Sequence, residues 1–474
     1  MKGKLKFEKP IVVSAVCLSM ILSVGSCAGD GFDEETFSGG VTNTQLESPD
    51  ASKVSFEKLA GKPSVKVEWP VIMGAGGYLF SMYIVDDPTN PVAVVKDSII
   101  DGCSVACTYL DDTNYKVEIK TLGNDKYNNK DAASVSEVTW STLVPATTIP
   151  AGTDLNTYFE NNPITSGKDV EVAYELEAGG SYTISGDLNL GVNNVQLRGN
   201  KVNHAKVTFT GSGAIVSSGG GMALKFIDFD CDVVSKGSFV KFGDVPEEIK
   251  GMNSYGIVTN PMIIQSCEIR NVRHYLVNIN GKKYAIQNFI VRDCLIKFYQ
   301  DAEIFNFNSN NSFVKYFELS SSTLYNLSEA SNGRFMRVAG GKGADVGWAD
   351  CSMNFTSNTF YNISCDQEAF NSNVWNRQKN TVNLSKNIFY DSCKGEFNRR
   401  IVGGRTDNAK TCDNNCYWYK GGSGLEKEAN GNYGDKSTSA YGVDPGFKDP
   451  ANGDFTVRHS EVISHGSGDP RWLK

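Results

Sequence analysis

The chain has 474 residues, with 46 Lys+Arg, 54 Asp+Glu and a formal net charge of −8. Aromatics at 11% and glycine at 47 positions exclude a disordered chain, a collagen-like repeat and a strongly basic nucleic-acid binder. The four histidines, His204, His274, His459 and His465, are scattered, which argues against a multi-histidine metal centre.

Lys2, Lys4, Lys6 and Lys9 precede an apolar run over residues 11–24. That run is shorter than the ~20 residues a spanning helix needs, so residues 1–26 read as a cleaved signal peptide. Val24-Gly25-Ser26-Cys27 resembles the lipobox of bacterial lipoproteins, which implies a lipid on Cys27 and an outer-membrane anchor; an ordinary secretory signal with an incidental Cys is the alternative. Residues 27–61 read as the lipidated Cys and a flexible acidic tether. The tether looks like those on surface lipoproteins of glycan-foraging gut bacteria, which implies the cell surface. Losing residues 1–26 removes four Lys and one Glu and leaves 42 basic against 53 acidic residues. Ten cysteines remain after Cys17 and Cys27, an even number that allows disulfides without specifying them.

Residues 62–144 read as about seven short strands, a β-sandwich pattern. Trp69 before Pro70, Tyr78 on the third strand, then Leu110, Tyr115, Val117 and Ile119 resemble the fibronectin type III family. On that resemblance Trp69 fills the space between two sheets, and the Tyr115 hydroxyl bonds back to an upstream backbone group. Such a module is either a spacer or a binding element. Residues 145–152, with Pro145, Pro150 and paired threonines, read as a linker.

Residues 153–474 read as a repeat array. The Asp154 region caps a short helix whose Leu155, Tyr158 and Phe159 face the first coil. Beyond it, Cys267-x-Ile269, Cys294-x-Ile296, Ser322-x-Leu324, Asn358-x-Phe360, Asn387-x-Phe389 and Asn415-x-Tyr417 form one column, with apolar positions 27, 28, 36, 29 and 28 residues apart. Strand-borne periods of this length mean stacked coils, and the natural solution is a parallel β-helix. Asn358, Asn387 and Asn415 then stand on adjacent rungs ~4.8 Å apart and bond up and down the stack. This resembles the asparagine ladder of the right-handed parallel β-helix in the pectate-lyase superfamily. Cys267 and Cys294 share the column as buried free thiols. Phe305, Phe335, Phe370 and Phe397 suggest a second column on a third face. The phrase around Asp444-Pro445-Gly446-Phe447 closes the array, and Trp472 is expected over the last coil. The predicted class is all-β, a right-handed parallel β-helix following a fibronectin type III-like sandwich.

Residues 265–410 hold 18 Lys+Arg against 13 Asp+Glu, a basic zone in an acidic chain, and this favours an anionic ligand. Simple solvation of the faces is the other reading. Arg334, Arg377, Arg400 and Arg405 are candidate ligands for a sugar carboxylate, since a guanidinium fork matches it in two hydrogen bonds. Arg337 and Arg399 each stand two residues past a column Phe and are expected on one face. The superfamily resemblance implies an Arg or Lys base for proton abstraction, with Ca²⁺ as a charge clamp. The matching candidates are Arg337, Arg399, Lys342 and Lys379. Asp228, Asp230 and Asp232 alternate, which would put three hard oxygen ligands on one strand face, suited to Ca²⁺. Trp375 in a polar loop beside Arg377 is the candidate platform for a sugar ring.

The Trp-Ile-Asp-His and Arg-x-Pro-x-x-Arg signatures of classical pectate lyases are absent, as are the Asn-Thr-Asp and Gly-His-Gly motifs of polygalacturonases. The leading expectation is therefore a lipid-anchored surface protein that binds acidic, pectin-type polysaccharide along the β-helix wall, with the membrane and a glycan-uptake complex as partners and no nucleic acid. The alternatives are a polysaccharide lyase acting by β-elimination and a non-catalytic adhesin or scaffold.

Overall fold

The computed structural model describes residues 40–234, 237–308, 310–328, 333–341, 343–371, 379–401, 409–431 and 434–474. It divides at Leu143/Val144 into two compact units. Among the described residues no helix is long and apolar enough to cross a membrane.

The first unit is a sandwich of two antiparallel sheets. Strands Ser55–Lys58, Ser64–Glu68 and Ser104–Thr108 form one; Val92–Ile100, Gly77–Ile84, Asn114–Leu122 and Ser136–Ser141 form the other. Tyr115, Val117 and Ile119 alternate inward along their strand. Trp69 is buried between the sheets, edge-on to Tyr78 and stacked on Phe80. The Tyr115 hydroxyl accepts from the Leu110 amide at 2.6 Å, the back-bond expected of it. The tether ends earlier than expected. Leu46 is buried in the sandwich core, and Phe56 stacks on Trp140 at 5.4 Å. These apolar side chains tie residues 41–61 to the unit.

The second unit winds three parallel sheets into a β-helix. The coils up to Met336–Val338 contribute a strand to the first sheet (such as Glu171–Leu176), then the second (Ser181–Ile184), then the third (Leu188–Gly191); the later coils, among the described residues, contribute strands to the first two. Residues 145–152 are not a linker: Ala146–Ile149 is the first strand of the first sheet, in register with Ala173–Leu176. Thr147, Thr148 and Ile149 suit a strand, and Pro145 and Pro150 flank it where no ladder bond is required. Asp154 caps the helix Leu155–Asn161 through Thr157 N, and Leu155 and Phe159 are buried against the first coils.

The predicted column lies on the second sheet, and its register is continuous: Ile269, Ile296, Leu324, Phe360, Phe389 and Tyr417 pair in turn. Tyr182, Val207 and Phe229 extend it toward the N-terminus. The residue just before each ladder position (Ser266, Asp293, Ser321, Ser357, Lys386, Asn414) is left-handed, so a single residue turns the chain from the first sheet to the second. The ladder bonds as expected. Asn358 Nδ2 donates to Asn387 Oδ1 at 2.9 Å, and Asn387 Nδ2 to Asn415 Oδ1 at 3.0 Å. Each Oδ1 also accepts the backbone amide of the coil before it, down to Ser322 N at 3.1 Å. The ten cysteines from Cys103 to Cys416 form no disulfide, and Cys267 and Cys294 are buried in the column.

Two expectations on the array are corrected. On the third sheet Phe305 pairs with Met336, not Phe335, and Met336 bridges to Phe370, because the chain carries an uneven number of residues into that sheet. Trp472 does not cover the last coil. Residues 441–474 run back over the outer face of the second sheet: Tyr441 bridges Cys416, Gly468 N donates to Lys386 O, and Trp472 Nε1 donates to Thr323 Oγ1 at 2.8 Å. The outward residues there include Tyr325, Tyr361, Ile388 and Tyr390. They need an apolar cover, and Phe447, Phe455 and Val457 supply it. The open end is closed instead by residues around Glu428. That carboxylate accepts from Phe397 N at 2.6 Å and Asn398 N at 2.9 Å, while Lys410 donates to Asn398 Oδ1 at 2.8 Å. Burial pushes Glu428 up and Lys410 down from their ordinary pKa values.

Candidate functional site

Of the arginines singled out in the sequence, Arg334, Arg337, Arg399 and Arg400 are among the described residues, and they lie on the third-sheet side of the β-helix. The structure organises them around two carboxylates. Glu368, 16% exposed, pairs with Arg399 at 2.8 Å, Arg400 at 3.2 Å and Arg334 at 3.4 Å. Arg399 also holds Glu396 at 3.0 Å. Arg334 Nη1 further donates to the Glu368 and Phe370 carbonyls, and Arg400 Nη1 donates to Asn371 O at 2.7 Å. Arg337 instead pairs with Glu303 at 3.0 Å, and Glu303 is also 16% exposed. Tyr275 stands beside Glu303, Arg337 and Asp301, and Asp301 bonds His274 Nδ1 at 2.7 Å.

Local structure explains the placement. Arg337 is the open residue of the strand Met336–Val338, between two buried neighbours. Arg399 and Arg400 are not on a strand but in the turn after Phe397, with Arg400 left-handed. The expectation that Arg337 and Arg399 share a strand face therefore fails; among the described residues Arg334, Arg399 and Arg400 meet, through Glu368. Each guanidinium is held through part of its fork. Arg399 remains 52% exposed and Arg337 46%, leaving nitrogens for a second partner. The bonds to Glu396 and the charge of Glu368 raise the Arg399 pKa further, against any role as an uncharged base.

Lys379 opens the strand Lys379–Ser385 in the first sheet, exposed and opposite Asp350, so it belongs to a different sheet from the arginine cluster. Lys342, Trp375, Arg377 and Arg405 lie outside the described residues, as does Cys27.

The acidic stripe does not converge. Asp228 bonds His204 at 2.9 Å, Asp230 accepts from Asn271 Nδ2 at 2.9 Å, and Asp232 pairs with Arg273 at 3.1 Å. The strand ends at Asp230, so Asp232 sits past it and turns away. Among the described residues no group of three or more His, Cys, Asp or Glu side chains could hold a metal ion. Three alternating acids on paper each found a separate donor from a neighbouring coil.

The residues missed in the sequence are Glu303 and Glu368. A signal was present: each stands two residues before a Phe of the third-face column, in Glu303-x-Phe305 and Glu368-x-Phe370.

Three family models match parts of the chain: DUF4992 over residues 1–179, DUF4957 over residues 180–327 and DUF5123 over residues 353–472, each described as a domain of unknown function. Their limits differ from the structural division at Leu143/Val144, and all three reach into the β-helix. No curated protein matches the chain in sequence. Among solved structures, pectate lyase PelI from Erwinia chrysanthemi, in complex with tetragalacturonic acid, is 10% identical with a TM-score of 0.19, covering 84% of this chain and 100% of that one. Pectate lyase Pel3 from Pectobacterium carotovorum (10%, TM-score 0.16) covers 67% and 85%. A family 28 exopolygalacturonase from Yersinia enterocolitica (10%, TM-score 0.16) covers 77% and 99%. Likeness this loose lends no weight to an activity.

Proposed function

We propose that the chain is a lipid-anchored surface protein that captures an acidic, pectin-type polysaccharide on the third-sheet side of its β-helix. The observation that carries this reading is the convergence of Arg334, Arg399 and Arg400 on Glu368, with two exposed acidic-partnered guanidiniums, Arg399 and Arg337, on the same side. A fork already fixed by one carboxylate loses less side-chain entropy when it takes a second, so a uronate binds to a prepared surface. Capture is favoured over β-elimination because elimination needs an uncharged base, and Arg399 is shifted the other way. Of the two candidate lysines, Lys342 and Lys379, the described one, Lys379, stands on another sheet.

The sandwich supports a spacer role. Its strand order and the Tyr115 back-bond suit a fibronectin type III-like module. Lipid on Cys27 would anchor the chain in the outer membrane beside a glycan-uptake complex.

The test is affinity electrophoresis of the soluble chain through polygalacturonate, alongside an ultraviolet assay for unsaturated product. Retardation that drops at least tenfold in Arg337→Ala/Arg399→Ala, with no rise in absorbance, is expected. Unchanged retardation in that double variant overturns the binding site. Unsaturated product from the unmodified chain would replace capture with lyase activity.

A further inference from the structure

The outer face of the first sheet carries a feature that the arginine side does not explain. Along Met262–Gln265, Asp350–Thr356 and Lys379–Ser385 buried and open residues alternate. The alternation slips at Gln287-Asn288 and again at Lys315-Tyr316 on the next coil, and the ladder omits the Gln287–Lys315 pair. The slip opens a groove of about 140 Å³, lined by Gln287, Asn288, Lys315, Tyr316, Asp350 and Thr381 together with Cys351 and Ser352. Drug-sized ligands occupy roughly 300–1,000 Å³, so a groove this small seats one sugar ring and not a chain.

Two neighbouring rows of this face behave differently. In one, Asn383 Nδ2 donates to Asn354 Oδ1 at 2.8 Å, Thr356 donates to Asn354 at 2.7 Å, and Tyr316 and Ser320 both donate to Glu318. That row satisfies itself. In the other, Asn288, Tyr316, Ser352 and Thr381 stand in register across four coils. Here the side chains of Asn288, Ser352 and Thr381, and those of Gln287 and Asp350 beside them, have no hydrogen-bond or ion-pair partner among the described residues, and Lys315 has only the Trp348 ring, at 5.7 Å. The unused donors and acceptors are thus gathered in this groove. Two amides supply both donors and acceptors, Asp350 accepts, and the Tyr316 ring offers an apolar wall. This set matches the vicinal hydroxyls and C–H face of a sugar. Lys315 and Asp350 offset each other's charge, so nothing selects a uronate.

We propose that this groove is a subsite for one neutral glycosyl residue, distinct from the arginine side. The inference rests on the reading that the chain handles polysaccharide, but it uses different residues and a different ligand.

The experiment is ligand-observed NMR of the soluble chain with the methyl glycosides of galactose, arabinose, xylose and rhamnose, and with galacturonate. At least one neutral glycoside is expected to bind. Asp350→Ala and Asn288→Ala should each weaken it at least tenfold, with an unchanged melting midpoint, while Arg337→Ala/Arg399→Ala leaves it intact. Should Asn288→Ala fail to fold, Thr381→Tyr, at an exposed position, blocks the groove instead. No binding by any of the four, binding that survives Asp350→Ala, or a preference for galacturonate overturns the subsite. Loss of polygalacturonate retention in the unmodified chain would sink only the arginine-side reading, because the glycosides report on the groove alone.

Discussion

Asn387→Ala isolates what the buried ladder contributes. The side chain makes five hydrogen bonds inside the column. Oδ1 accepts from Asn358 N and Nδ2; Nδ2 donates to Phe355 O, Ser385 O and Asn415 Oδ1. After truncation Asn358 Nδ2 still has Leu319 O at 2.8 Å, and Asn415 Oδ1 keeps the Asn387 amide at 3.1 Å. The Asn358 N–H loses its acceptor in a site closed to water. One buried unsatisfied donor costs about 1–3 kcal/mol, and the bonds lost without an orphan add ~1–2 kcal/mol after relaxation. The expected loss is ~2–5 kcal/mol. Asn383→Ala is the control: it too donates to an asparagine one coil away, at 2.8 Å, but on the outer face, where water replaces the lost partner. Its expected cost is below ~1 kcal/mol. Stacked coils need not unfold in one step, so amide exchange in the strands flanking Asn387 is the measurement, with urea unfolding by circular dichroism as a check. Equal destabilisation by the two variants, or a loss under ~1 kcal/mol for Asn387→Ala, would refute the argument that burial and not the bond itself sets the cost.

Burial pushes the Asp469 carboxyl up to about 6 despite Arg471 at 2.9 Å. The folded state thus binds its proton more tightly than the unfolded chain, whose carboxyl titrates near ~3.9, and the group favours the fold fully below that value and loses about 3 kcal/mol as pH rises through 6. Amide protection of residues 466–473, measured against the intrinsic exchange rate at each pH, should fall between pH 4 and 7, and Asp469→Asn should abolish that fall. Gly468 has φ +99°, and a Cβ there would stand 2.6 Å from Ile388 Cδ1. Gly468→Ala should therefore loosen residues 441–474 and expose them to limited proteolysis; a protease-resistant variant would contradict the seating of that segment on the second sheet. Glu368→Gln releases the three guanidiniums held on that carboxylate, so retention on polygalacturonate should weaken several-fold although the variant gains positive charge, and what remains should fall more steeply as salt rises; stronger retention in a folded variant would mean Glu368 competes with the polyanion for the forks and does not position them.

Much of the architecture was legible because the column obeys a simple constraint. A residue that must fill the coil interior recurs at each rung, and Ile269 through Tyr417 betray the period even with loops of unequal length. The earlier rungs were missed because Ala205-x-Val207 and Ile227-x-Phe229 place apolar residues where the later coils place Asn or Ser. The corners were missed because left-handed positions such as Lys386 and Asp293 are not glycine, so nothing in their residue type announces the turn. The strand at Ala146–Ile149 was hidden by its prolines, which mark its ends and not a break. The return of residues 441–474 along the second sheet depends on which outward faces are apolar, and that requires the register first.

The binding side was less legible, for a reason of charge. Counting residues 265–410 gives an excess of cations, but a count sums groups that the fold pairs individually. Three guanidiniums around Glu368 and Glu396 retain one uncompensated positive charge, and Arg337 with Glu303 retains none. Among the described residues, then, this side offers a polyanion little long-range basic field. Its selectivity has to come from the short-range fit of forks whose orientation is already set, and such contacts act within a few ångströms, inside the ~8–10 Å over which physiological salt screens exposed charges. Capture at this side should accordingly survive moderate salt and depend on Arg399 individually, whereas a mere excess of charge would be abolished by salt and indifferent to any single arginine.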